Sequence, residues 1–161
     1  MASAVGVTPP SIYLHFADRN ELLYAVCDRH WDHLHDHMDR AAMGIGDPWG
    51  RIRARGRAYI DFALANPEHY RVIMMARHDA IPEGVLNEPP PGFEHLRDDV
   101  RAAIEAGEIH NQDPFVVASG LWMTVHGIAS LLISKPDFPW PKRDELIDHV
   151  LHTHAEGLRR S

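Results

Sequence analysis

The chain has a single cysteine, Cys27, so no internal disulfide framework can hold it together, and a reducing compartment suits it. Cys27 lies between Val26 and Asp28 in a helical pattern, where it reads as a small core residue. Positive charge is also in deficit: 16 Lys and Arg stand against 23 Asp and Glu, a formal net charge of −7. That balance excludes a protein that coats nucleic acid indiscriminately, yet leaves room for one that reads DNA through a local basic patch. The 13 histidines stand outside this count and make the true charge sensitive to pH. No basic segment leads into an apolar run at the N-terminus, which argues against a secretory signal. Repeats and low-complexity tracts are absent. Also missing are Gly-x-Ser-x-Gly, a phosphate-cradling glycine loop and His-Glu-x-x-His, and nothing pairs the abundant His and Asp with a nucleophile. The chain does not read as an enzyme.

One long stretch lacks charge altogether. From Pro114 to Ser134 there is no Asp, Glu, Lys or Arg, a length that could span a bilayer. Ser119, Thr124, His126, Ser130, Ser134 and two glycines interrupt it, which favours a buried helix over a membrane span. Leu121, Val125, Ile128 and Leu132 make one apolar stripe, while Gly120, Thr124, Gly127 and Ala129 would let another helix come close. A helix apolar nearly all round needs cover on several sides; its own body on one and a second subunit on another would supply it, and so would a central place in a monomer.

What the sequence does contain is helical spacing in nearly every periodic segment. Thr8 can cap a short helix whose first positions are Pro9 and Pro10. Asp18 and Glu21 form a capping box for a long helix to about Met43. Its inner face would carry Leu23, Cys27, Leu34, Met38 and Ala41, flanked by His30 and Trp31, with Asp28, Asp32, Asp36 and Asp39 opposite. Gly44-Ile-Gly46 ends it, and Asp47-Pro48 opens a helix that carries Ile52, Tyr59, Ile60, Ala63 and Leu64 and stops at Asn66-Pro67. A third helix is expected from Glu68 to Arg77, and a proline-rich loop from Ile81 to Gly92. Phe93 to Ala106 is amphipathic and closed by Gly107. Asp113-Pro114 starts the apolar helix, Lys135 to Pro141 is a stiff loop, and a last helix covers Arg143 to Leu158. The prediction is an all-α protein of about seven helices, a small head on a larger body.

The head carries the clearest signal. A glycine-containing turn between helices is the spacing of DNA-reading helix pairs. The helix over residues 8–14 would expose Thr8, Pro9, Ser11, Tyr13 and Leu14, with Val5, Val7, Ile12 and Phe16 inward. Thr8, Ser11, Tyr13 and His15 suit phosphate oxygens, and Arg19 adds charge where the next helix offers free amides. An ordinary helix hairpin with a surface tyrosine would show the same spacing.

The string Val5-Gly-Val-Thr-Pro-Pro-Ser-Ile-Tyr13-Leu-His15-Phe16, then Asp18-Arg19-Asn-Glu-Leu22-Leu23, resembles the TetR family of bacterial repressors. Leu121-Trp122-Met-Thr-Val-His126-Gly127-Ile-Ala resembles the Trp…His-Gly motif of one class of that family's C-terminal domains. The resemblance implies a TetR-like all-α fold: the remnant of a helix-turn-helix head over residues 1–20, then a six-helix ligand-binding and dimerisation body over residues 21–161. It implies contacts to double-stranded operator DNA at Thr8, Pro9, Pro10, Ser11, Tyr13, His15 and Arg19. It also implies a homodimer through the helices near 114–134 and 143–158, whose two recognition helices would sit about 34 Å apart. The expected activity is that of a cytoplasmic repressor that leaves its operator when a small molecule binds the body.

Family members carry a first helix and most of a second before the glycine turn, and here only Met1-Ala2-Ser3 precede it. Three uncovered apolar side chains would forfeit roughly 5–8 kcal/mol of burial. The head as given is therefore expected to be poorly ordered and weak on DNA, and the start to be assigned late or the chain to be a fragment.

For the ligand, the body offers Trp49, Tyr59, Phe62, Tyr70, Met74, Met75, Phe115, Trp122, Met123 and His126, a lining for an apolar or aromatic molecule. The candidate contacts are Tyr59, Phe62, Tyr70, Met74, Trp122 and His126, the last as polar handle. No cofactor and no metal is expected in this reading. Two alternatives stand beside it. One is a dimeric ligand-binding protein without DNA binding of its own. The other is a metal-responsive regulator using His30, His33 and His37, or His149, His152 and His154, which would have to converge at about 2.0–2.2 Å from an ion.

Overall fold

The computed structural model describes residue 16 and residues 19–75 and 91–159. Among these it is all-α, with helices α1 (Arg19–Ala42), α2 (Pro48–Ala65), α3 (Pro67–Tyr70, running on as a π-helical turn over Arg71–Met75), α4 (Pro91–Glu105), α5 (Pro114–Ser134) and α6 (Arg143–Leu158). An isolated antiparallel bridge joins Ile109 to Arg159. The head residues Thr8, Pro9, Pro10, Ser11, Tyr13 and His15 lie outside the described part, as does most of the 81–92 loop.

Local chemistry explains most helix ends. Asp47 accepts from the Gly50 N–H ahead of α2, and Asp113 Oδ1 accepts from the Phe115 N–H at 2.8 Å ahead of α5. In both cases a proline at the first helical position gives up an amide that had no partner there. Gly44 (φ 80°) and Gly107 (φ 74°) take the left-handed conformation that ends α1 and α4. The start of α4 corrects the expected boundary, because Pro91 and Gly92 already belong to the helix. As a first-turn amide, the Gly92 N–H has no acceptor within the helix. It donates instead to Nε2 of buried His35 at 2.9 Å.

The inner face of α1 keeps Leu34, Met38 and Trp31 in or against the core as expected and differs at its end, while the side chains of Leu23 and Cys27 lie outside the described part. Leu34 and Ala42 are buried, whereas Ala41 is exposed. Asp39, expected on the wet face, pairs with Arg55 of α2. Arg55 in turn holds Asp99 of α4 at 2.9 Å, and Arg51 holds the other oxygen of Asp99 at 2.6 Å. This ion cluster ties α1 to α2 and α4, and His35 and Ala42 are buried on the side of α1 that faces the body.

α2 runs through the middle of the molecule and contributes to two apolar clusters. One gathers Leu34, Tyr59, Ile60, Tyr70, Val125 and Ile147; the other gathers Trp49, Ile52, Phe93, Val100, Ile109 and Val117. Trp122 packs against both. α5 buries Val117, Ala118, Val125, Ala129 and Ile133. It is long and apolar enough to cross a membrane by composition, but its inner face belongs to the core shared with α2, α4 and α6. The small residues expected to meet another helix divide: Ala129 is fully buried within the chain, Gly120 and Thr124 face His154 of α6, and Gly127 opens onto empty space. On that open side Val116 is 62 % exposed, Met123 72 % and Leu131 50 %.

Candidate ligand cavity

The helices leave a cavity of about 740 Å³ between them, within the size range of small-molecule sites. Trp31, Leu34, His35 and Met38 of α1 form one wall. Trp49, Ile52, Arg53 and Tyr59 come from α2, and Gly92, Phe93 and Leu96 from α4. Leu121, Trp122, Thr124 and Val125 come from α5, and Asp148, Leu151, His152 and His154 from α6. Apolar and aromatic side chains dominate, with a few polar groups at fixed places. The Thr124 hydroxyl donates to the Gly120 carbonyl at 2.9 Å and lies 3.1 Å from His154 Nδ1. A hydroxyl has one proton, so Nδ1–H of His154 is the donor in the second contact.

Behind the cavity wall is a buried polar relay. Tyr59 and Tyr70, 3 % and 2 % exposed, join their hydroxyls at 3.0 Å. The Tyr70 hydroxyl meets His126 Nδ1 at 2.7 Å, and Tyr59 lies 3.4 Å from the same nitrogen. Burial holds the imidazole of His126 below its ordinary value of 6.5 and so favours the neutral ring. Burial raises both phenols; Tyr59 also feels the opposing pull of hydrogen bonds with Tyr70 and Trp122. Neutral phenols must donate, so Tyr70 O–H points to Nδ1 and the imidazole proton sits on Nε2. The order Tyr59 to Tyr70 to His126 therefore runs from the cavity wall on α2, through the end of α3, to α5.

Tyr59 and Trp122, of the six candidate contacts, line the cavity. Tyr70 and His126 stand behind Tyr59 in the relay. Phe62 packs in the first cluster with its ring 5.9 Å from that of His37, and Met74 packs against the same cluster. The walls from α1, α4 and α6 carry residues that helical periodicity marks only as core or surface. Their one local signal was the imidazole of His35 on a face otherwise apolar.

Two of the six histidines considered for a metal, His30 and His154, have partners of their own. His30 stacks on His69 with ring centres 4.0 Å apart, and burial with the neighbouring His69 and His33 keeps it below 6.5. His154 serves Thr124, and burial likewise lowers it. Among the described residues no group of three or more His, Cys, Asp or Glu is placed to hold a metal ion. Arg19 is the first residue of α1, the long helix that walls the cavity.

The comparisons with known proteins agree with this architecture. Residues 52–154 match the family model described as Tetracyclin repressor-like, C-terminal domain. The HTH-type transcriptional activator FasR of Mycolicibacterium smegmatis is 36% identical over 73 residues, which cover 45% of this chain and 33% of FasR. The match thus spans about a third of that curated relative's length. A protein of unknown function from Rhodococcus sp. RHA1 superposes with a TM-score of 0.81 at 26% identity, covering 99% of this chain and 82% of that one. A TetR family transcription regulator from Marinobacter aquaeolei VT8 superposes at 0.77 with 16% identity, covering 99% and 83% respectively, and so shares the fold. With the family model covering well over half of its residues, the chain belongs to the TetR family of transcriptional regulators.

Proposed function

We propose that this chain is a ligand-responsive, DNA-binding transcriptional regulator that works in the cytoplasm as a homodimer and represses until a small apolar or aromatic molecule enters its body. In this reading Thr8, Pro9, Pro10, Ser11, Tyr13, His15 and Arg19 contact operator DNA, and residues 21–161 bind the ligand and dimerise. The observation that carries it is the cavity wall made by α1. At 24 residues α1 is about 36 Å long, so a small tilt forced at Leu34 or Met38 is magnified at Arg19. A ligand releases DNA only if it binds the tilted state better than the DNA-bound one. Tyr59 and Trp122 meet the ligand directly. Phe62, Tyr70, Met74 and His126 shape the wall behind them, with His126 as the end of the polar relay.

The test is anisotropy with DNA from the gene's own upstream region at two salt concentrations, using this chain and a version extended by the codons upstream of Met1. The expected result is binding by the extended form that weakens steeply with salt. Binding by neither form would leave a dimeric ligand-binding protein as the account. FasR is named an activator, which favours a second reading in which the same switch activates transcription. A reporter fused to the bound promoter, with the gene deleted, decides between the two: expression rises for a repressor and falls for an activator.

A further inference from the structure

We propose that the cavity takes a molecule with an apolar body and one anionic group, the anion seated against Arg53 at the cavity mouth. This rests on the reading of the cavity as a ligand site. The argument is a comparison of two rungs between α2 and α6. On one rung Arg57 is saturated: it bonds Asp61 at 3.0 Å, Asp144 at 3.0 Å and Asp148 at 3.0 Å. One turn earlier on the same face of α2 stands Arg53, and one turn after Asp148 on α6 stands His152. Both line the cavity. Where the first rung has carboxylates, the second has an imidazole, and among the described residues Arg53 has no ion pair.

The charge count of the lining points the same way. Asp148 is its one acid, and Arg57 neutralises it. Arg55 is taken up by Asp39 and Asp99. Arg53 is left as uncompensated positive charge, exposed to solvent at one end of an otherwise apolar space. A planar guanidinium with free N–H groups holds an oxyanion through charge-assisted hydrogen bonds. Phe93, Leu121 and Leu151 offer the surface for the apolar body. A neutral aromatic could only stack on the exposed Arg53 guanidinium, a weaker contact than an oxyanion makes, and a cation would be repelled.

The test uses a matched pair of fluorescent probes, 1-anilinonaphthalene-8-sulfonate and the uncharged N-phenyl-1-naphthylamine, titrated into the full chain. The expected result is tighter binding of the sulfonate by roughly ten-fold, the scale of one hydrogen bond to a charged group. Arg53→Gln should remove that preference and leave the neutral probe's affinity unchanged. Lys142→Gln, the same charge change away from the cavity, should alter neither. Equal binding of the two probes, or an Arg53→Gln variant that weakens both alike, overturns the proposal while leaving the cavity as a ligand site. Loss of sulfonate binding in Met123→Gln but not in Arg53→Gln puts the probe on the outer face of α5 and also overturns it. If neither probe binds, the ligand reading of the cavity falls, and this proposal with it.

Discussion

His126 shows how one side chain ties stability to protonation. Its Nδ1 accepts from Tyr70 at 2.7 Å, and burial keeps the ring neutral. Tyr70→Phe removes the donor and strands a half-buried acceptor, at a cost of about 1–3 kcal/mol; urea denaturation at pH 7 measures it. His30, His35 and His154 are likewise held below 6.5, chiefly by burial. The unfolded chain, whose imidazoles titrate near 6.5, then binds more protons than the folded one in the window below that value. Stability from these groups is therefore complete above about pH 6.5 and is lost as pH falls through their lowered folded values. The urea midpoint should drop between pH 7 and pH 5, and less steeply in His126→Gln. A midpoint flat over that range would contradict the buried neutral state. Sequence alone marked Tyr59, Tyr70 and His126 as one set of candidates, but not the bonds among them, because those bonds join residues 11 and 56 positions apart.

At the scale of elements, the caps were legible and the orientations were not. Asp47-Pro48, Asp113-Pro114 and Gly107 act on their own neighbours, so α2, α5 and the end of α4 fall where the sequence places them. The partner of Asp39 on α1 is Arg55 on α2, and that of the Gly92 N–H at the start of α4 is His35 on α1. No window of a single helix contains those partners. The same holds for the cavity: Tyr59 and Trp122 were legible as aromatic body residues, but a void is what several helices leave over, and on its α1, α4 and α6 walls only the histidines stood out, without any sign that they share a space. The ion cluster that joins α1, α2 and α4 can be tested directly. Asp99 is the shared acid of Arg51 and Arg55, its side chain 10 % exposed. Asp99→Ala removes the acid that Arg51 and Arg55 share and should cost about 3 kcal/mol, the lower end for a buried pair because Arg55 keeps Asp39 and Arg51 keeps the Ile45 and Gly46 carbonyls. Denaturant unfolding followed by helical circular dichroism measures this. A loss below a few tenths would mean that α4 is held by its apolar face alone.

For the whole molecule, the open side of α5 is the feature the fold leaves unexplained within one chain. Val116, Met123 and Leu131 recur at near-heptad spacing around Gly127, whose missing side chain leaves the surface clear. That pattern suits a second copy of the same helix, and the proposed regulator needs one, since in that reading each chain would supply one recognition helix to a near-palindrome with two half-sites. Met123→Arg puts a charge where two copies would meet, and burying it unpaired there would cost more than such a contact can return. The expected outcome is a wild-type chain that sediments at twice its monomer mass and a variant that sediments at the monomer mass. The variant should still bind the sulfonate probe, because the cavity lies on the other side of α5. A wild-type protein already monomeric at micromolar concentration would remove the dimer, and with it the two-groove geometry on which operator recognition depends. A variant that is monomeric and has also lost the probe would mean that the cavity is completed only in the dimer.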